Sequence, residues 1–134
     1  MTTERALVAG AGLMGHGIAQ VLAATGRTVA LYEPDVARAE AGRERIAGNL
    51  ERSVAKGRLT GAERDAILGR VHPTDDQATG AADVALVVEA IFDEIGLLVL
   101  EGDAAGLAAK VGELSAARPA AQETGEAPAV RIVP

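Results

Sequence analysis

The 134-residue chain has no cysteine. That excludes disulfides, thiolate nucleophiles and metal sites built on cysteine. It has no tryptophan, one tyrosine and one phenylalanine, which leaves few platforms for stacking bases. Positive charge is also short. Lys and Arg number 13 against 19 Asp and Glu, a net charge of −6, which argues against a nucleic-acid surface. No apolar run approaches the ~18 residues that a membrane-spanning helix needs. The first residues, with Glu4 and Arg5, lack the apolar core of a secretory signal. The cytoplasm is therefore the default location, and the length is that of one domain at most, large enough to bury a core.

Glycine is what the chain has in quantity, 16 residues, and three of them are placed informatively. Ala6-Leu7-Val8-Ala9 reads as a buried strand that breaks into Gly10-x-Gly12-x-x-Gly15, and an apolar helical pattern (Ile18, Val21, Leu22) follows at once. This succession is the context that a dinucleotide-binding fingerprint requires. Gly10 would allow the tight turn, Gly12 would let the backbone approach a pyrophosphate, and Gly15 would let the helix pack closely on the strand. The helix's first N–H groups and the positive end of its dipole would then face the phosphates. A second strand, residues 28–32, ends in Glu33, 23 positions after Gly10, where an acid should take the ribose hydroxyls. A carboxylate there repels a 2′-phosphate, so NAD is favoured over NADP. The bland alternative is a βαβ unit whose glycines serve packing alone.

The remaining pattern is that of an α/β domain. Helix one runs over residues 14–25. Gly17 lies inside it, a costly position that makes sense if the backbone packs tightly on the sheet or on a cofactor. His16, beside the glycines, reads as an exposed residue of the helix start more readily than as a pyrophosphate neighbour. Pro34 and Asp35 start a long helix over residues 36–56, with Ala39, Ile46, Leu50 and Val54 on its apolar face and Gly57 closing it. Thr60 and Glu63 form a capping box for a short helix to about residue 68. Residues 71–74 read as a short third strand, with His72 structural or exposed, and Asp75, Asp76 and Gly80 as a loop. Residues 83–89 are a fourth strand of the buried parallel kind. Glu89 and Ala90 fall at its carboxyl end, where ligands bind in open α/β sheets. Glu89 there is either cofactor-facing or a local hydrogen-bond acceptor.

Taken together, Gly-Ala-Gly-Leu-Met-Gly-His-Gly-Ile-Ala-Gln from Gly10, Leu-Tyr-Glu ending at Glu33, Lys-Gly-Arg-Leu-Thr from Lys56 and Val-Val-Glu-Ala-Ile ending at Ile91 resemble the 3-hydroxyacyl-CoA dehydrogenases, including their 3-hydroxybutyryl-CoA members. The resemblance covers about residues 5–94, the NAD-binding half. It implies a Rossmann-type, doubly wound parallel sheet with a helical hairpin inserted after strand two. It also implies oxidation of the 3-hydroxyl of an acyl-CoA with hydride passing to NAD, a step of fatty acid metabolism. Carried over by position, Gly10, Gly12, Leu13, Met14 and Gly15 would lie at the NAD pyrophosphate. Glu33 would take the ribose, a place where aspartate is more usual, and Ala90 and Ile91 would lie beside the nicotinamide ribose with Glu89 just before them.

The resemblance stops near residue 94. Asp93 and Glu94 keep the family's acidic pair, but Leu98 stands where a lysine associated with the CoA is expected. The Asn-Thr-Ser-Ser strand end and the His-Phe-x-x-Pro segment with its general base are not found, nor are the base's orienting glutamate and the nearby asparagine. The only histidines are His16 and His72, the only asparagine is Asn49, and the only downstream serine is Ser115. The family's helical C-terminal domain, which builds its dimer, is likewise absent from this sequence, so no catalytic residue is assigned and the oligomeric state is left open.

Composition shifts at the same place. Residues 1–92 carry 10 basic and 12 acidic side chains, whereas residues 93–134 carry 3 and 7, with 10 alanines and 3 of the 5 prolines. We therefore divide the chain into an NAD-binding domain, 1–92, and a divergent tail, 93–134. In the tail, residues 102–115 read as an amphipathic helix, 118–128 as a flexible link and 130–133 as an added strand. The expected activity is NAD binding without turnover by this chain alone, and acyl-CoA would be a partner only with the missing domain. The alternatives are a stand-alone NAD-binding or interaction module, or one half of a split enzyme.

Overall fold

Strands form where short apolar runs are flanked by glycine, proline or aspartate, and helices follow each of the first three. The computed structural model describes residues 4–90, the strand 98–101 and Ala109. In chain order the elements are β1 (Arg5–Ala9), α1 (Leu13–Ala24), β2 (Thr28–Tyr32), α2 (Val36–Ala55), α3 (Gly61–Gly69), β3 (Val71–Thr74), α4 (Gln77–Ala81), β4 (Val84–Glu89) and β5 (Leu98–Glu101). The tail elements expected at 102–115 and 130–133 lie outside the described residues, Ala109 apart.

The sheet order is β3-β2-β1-β4-β5. The first four strands are mutually parallel, as the resemblance implies. β5, which the sequence did not mark, runs antiparallel to β4, with Glu89 opposite Leu98. The winding runs outward from β1 through β2 to β3, then crosses back to β4 on β1's other side. Right-handed crossovers of opposite direction put their helices on opposite faces, and the core obeys this. Val8, Val29, Leu31 and Val88 pack with Ala19 and Ala23 of α1, Ile46 and Leu50 of α2 and Ile67 of α3. The alternate residues Leu7, Ala9, Ala30, Tyr32 and Val87 pack with Ala81 of α4. Val84 joins that second face because the β1–β4 register shifts by a residue between Arg5 and Ala6.

The helix ends follow from local chemistry. α1 and α2 both close with a glycine at positive φ, Gly26 at 99° and Gly57 at 71°. In each the next two amides turn back onto the last turn: Gly26 to Ala23 and Arg27 to Leu22, Gly57 to Val54 and Arg58 to Ser53. This is the six-to-one, five-to-two pattern that satisfies carbonyls otherwise left without partners. The Ala23 carbonyl, which already accepts the Gly26 amide, also accepts Arg70 Nη1 at 2.9 Å. Asp35 caps α2 through Ala37 N–H, and the Thr60–Glu63 capping box of α3 is made in both directions.

One expectation fails here. The stretch around Asp75, Asp76 and Gly80 is a short helix, α4, and not a loop. Asp76 caps it, its two oxygens accepting the Thr79 N–H at 3.2 Å and the Thr79 hydroxyl at 2.6 Å. Gly80 sits against the sheet, where a Cβ would come within 3.3 Å of Leu7 Cδ1.

Among the described residues β3 is an outer edge strand. Arg70 and Thr74 turn their carbonyls to β2, receiving the Val29 and Glu33 amides, so the residues between alternate outward. Of these, Val71 gives its carbonyl to Arg43 Nε at 3.1 Å, and Pro73 has no N–H to offer. Arg43 Nη2 also holds the Leu68 carbonyl at 3.1 Å. A groove beside this edge is lined by Ala37, Glu40, Glu44 and His72, and His72 is exposed. Among the described residues no helix is long and apolar enough to cross a membrane.

Candidate functional site

The winding reverses between β1 and β4, and the carboxyl ends of β1, β2 and β4 meet there. Backbone bonds hold these ends in register. Gly10 N–H donates to the Tyr32 carbonyl at 2.8 Å, and Ala90 N–H donates to the Ala9 carbonyl at 2.7 Å. Gly10 has φ 109°, a conformation that side-chain-bearing residues rarely adopt. The chain thereby turns sharply from strand into helix.

Gly12 is the N-cap of α1, and no side chain caps the helix. No acidic residue lies in its first turn. The leading amides therefore have no side-chain acceptor at the cap, and the first turn itself holds no carboxylate to offset the positive end of the dipole. Gly15 is required more stringently than packing on the strand alone demands. A Cβ there would lie 1.8 Å from the Gly10 carbonyl oxygen, so this glycine lets the helix lie on the turn itself. Gly17 is the reverse. A Cβ at that position meets nothing within 4 Å, so tight packing on the sheet does not account for it. Leu13, in the same turn, is 74 % exposed, and Met14 is half-buried.

Glu33 is buried at the end of β2, and its Oε1 accepts the Ala11 N–H at 2.9 Å. The ribose-acid candidate is thus joined directly to the glycine turn, a link that spans 22 positions. A further element supports the turn from behind. A Cβ on Gly42 of α2 would come within 2.7 Å of Ala11 Cβ and 2.9 Å of the Ala11 oxygen. Sequence reasoning missed Gly42, because nothing in α2's own periodicity shows that the helix rests on the loop. Glu89 is half-buried opposite Ala9, and Ala90 is buried. Ile91 lies outside the described residues.

His16 corrects the reading of it as exposed. Its side chain is buried, with Nδ1 2.7 Å from the Gly12 carbonyl oxygen. The ring folds back over the first turn because that carbonyl offers it a partner one helical turn away. Among the described residues no group of His, Cys, Asp or Glu could hold a metal ion.

Comparison with known proteins gives the family and the fold. The family model described as "3-hydroxyacyl-CoA dehydrogenase, NAD binding domain" matches residues 5–97. A 3-hydroxybutyryl-CoA dehydrogenase of Mycobacterium tuberculosis is 44% identical over 91 residues, which cover 68% of this chain and 32% of that protein. A probable 3-hydroxybutyryl-CoA dehydrogenase of Bacillus subtilis is 36% identical over 96 residues, covering 71% and 33%. Among solved structures, FadB2 of M. tuberculosis matches with a TM-score of 0.65 and 42% identity, covering 70% of this chain and 33% of that one. The (S)-3-hydroxybutyryl-CoA dehydrogenase PaaH1 of Ralstonia eutropha matches with a TM-score of 0.64 at 28% identity, covering 69% and 32%. The chain thus spans about a third of the length of these relatives. It belongs to the 3-hydroxyacyl-CoA dehydrogenase family, with that family's NAD-binding domain over residues 5–97.

Proposed function

We propose that this chain binds NAD(H) at the switch point between β1 and β4. The pyrophosphate lies over the α1 N-terminus, against Gly10, Gly12, Leu13, Met14 and Gly15. The adenosine ribose hydroxyls bond to Glu33. The nicotinamide ribose lies by Glu89, Ala90 and Ile91. The observation that carries this reading is the Glu33 Oε1 bond to the Ala11 N–H, 2.9 Å long, beside a helix start without a side-chain cap. In this reading an acceptor for hydroxyls stands next to donors for phosphate.

Bound there, the cofactor would supply the hydride acceptor for oxidation of the 3-hydroxyl of an acyl-CoA, the reaction that membership of the family suggests. Proton removal from that hydroxyl needs a base within hydrogen-bond reach. His16 is committed to Gly12 and His72 lies exposed on β3, at the sheet edge away from the β1–β4 switch point. Neither serves, so the 134-residue chain alone should bind cofactor and turn nothing over. Residues 1–92 form the working cofactor unit in this reading, and its compartment is the cytoplasm.

A fluorescence titration with NADH, and with NADPH as competitor, tests the assignment. A carboxylate and a 2′-phosphate charge ~4 Å apart repel by about 4 kcal/mol at an effective dielectric constant of ~20, so NADH should bind at least tenfold tighter. Glu33→Gln keeps an acceptor for Ala11 N–H and removes the charge, so it should narrow that preference while the fold persists. Glu33→Ala also strands a buried amide and should lose about 1–3 kcal/mol of stability. Folded wild-type protein that shows no saturable NADH signal would rule the cofactor role out.

A further inference from the structure

We infer that His16 is a positioning residue for the pyrophosphate, acting through the Gly12–Leu13 peptide. This rests on the NAD(H) reading above. The Gly12 carbonyl accepts two bonds, both from one residue: the His16 amide at 3.1 Å and His16 Nδ1 at 2.7 Å. Because a carbonyl can only accept, Nδ1 carries the ring's proton in the neutral form. The peptide plane is rigid, with its N–H directed opposite to its C=O. Pulling the Gly12 oxygen down into the helix therefore aims the Leu13 N–H out of the helix start, where the phosphates would lie.

The clamp answers a problem that the glycine turn creates. Gly12 has no Cβ, which permits close approach of an anion but leaves its torsions loosely held. An amide that must be oriented at the moment of binding contributes less than one already oriented. His16, reaching back one turn and buried, restrains the plane without occupying the face that the anion needs. The ring therefore contributes to phosphate affinity without touching phosphate.

The test compares NADH, ADP-ribose and adenosine on the full chain, wild type against His16→Phe and His16→Asn. Phenylalanine keeps a buried ring and loses the donor, whereas asparagine retains an N–H that can reach a carbonyl. His16→Phe should raise the Kd of NADH and ADP-ribose about three- to tenfold, the range set by one lost hydrogen bond. It should leave adenosine unchanged, shift the Leu13 amide resonance of the free protein, and be partly rescued by His16→Asn. Equal weakening of all three ligands would make His16 merely structural and overturn the inference, as would no change in any of them. Wild-type protein that is folded yet binds neither NADH nor ADP-ribose would instead defeat the cofactor reading, and this inference with it.

Discussion

Two glycines of α1, two residues apart, face opposite fates on substitution. At Gly15 an added methyl would lie 1.8 Å from the Gly10 oxygen, a backbone atom that can move only with the turn. Gly15→Ala should therefore cost about 3 kcal/mol, visible as a lower midpoint in urea, and should abolish NADH binding by spreading the turn. At Gly17 the methyl meets nothing within 4 Å, and alanine is the better helix former by about 1 kcal/mol. Gly17→Ala should accordingly raise stability by that amount. If it also weakens NADH binding, the open space at Gly17 belongs to the cofactor. The fingerprint glycines and Glu33 could be identified from spacing alone. The contacts of His16 and Gly42 could not, since each depends on a backbone atom brought near by folding: the Gly12 carbonyl for one, the Ala11 peptide for the other.

The elements were legible to the degree that their ends carry their own chemistry. Thr60 and Glu63 announce α3, Gly26 and Gly57 announce the ends of α1 and α2, and the apolar runs announce four strands. α4 escaped because five residues, Gly80 among them, show no helical period. Its N-terminal cap is Asp76. That carboxyl is held below the ordinary carboxylate range, chiefly by the Thr79 hydroxyl and then by the Thr79 amide. A value depressed on folding means that the contribution of the cap is fully present above the unfolded-state value, about 4. It is lost as pH falls through the lower folded-state value. Melting temperatures followed from pH 5 down to about pH 2.5 should fall less steeply in Asp76→Asn than in wild type, because asparagine still accepts the amide and does not titrate there. A parallel fall in both proteins would show that the α4 cap contributes nothing to acid sensitivity. β5 escaped for another reason. Nothing in a four-residue apolar strand says which neighbour it will join, or in which direction.

On the scale of the whole molecule, the sheet has two unlike sides. Among the described residues three helices cover one face and α4 the other, so β1 is enclosed between two cores. The lateral edges differ as well. β4 takes up β5, whereas β3 takes up no further strand among the described residues, where Arg43 takes the outward Val71 carbonyl and Pro73 lacks an amide. Arg43→Ala removes two charge-assisted bonds from a partly buried side chain. It should cost about 2 kcal/mol in denaturant, and should hasten the growth of light scattering on incubation. Unchanged scattering at equal stability loss would show that the bonds matter for folding only.

That edge is like a polymer end that is partly capped. A sheet adds strands wherever a row of amides and carbonyls stays unspent, and along β3 Val71's carbonyl is already spent and Pro73 has no amide to spend. Elongation is thereby biased to the β4 side, where the chain itself supplies the next strand. Two of the four outward backbone positions of Val71 and Pro73 are thus closed to a further strand, which discourages one copy from seeding the next along β3.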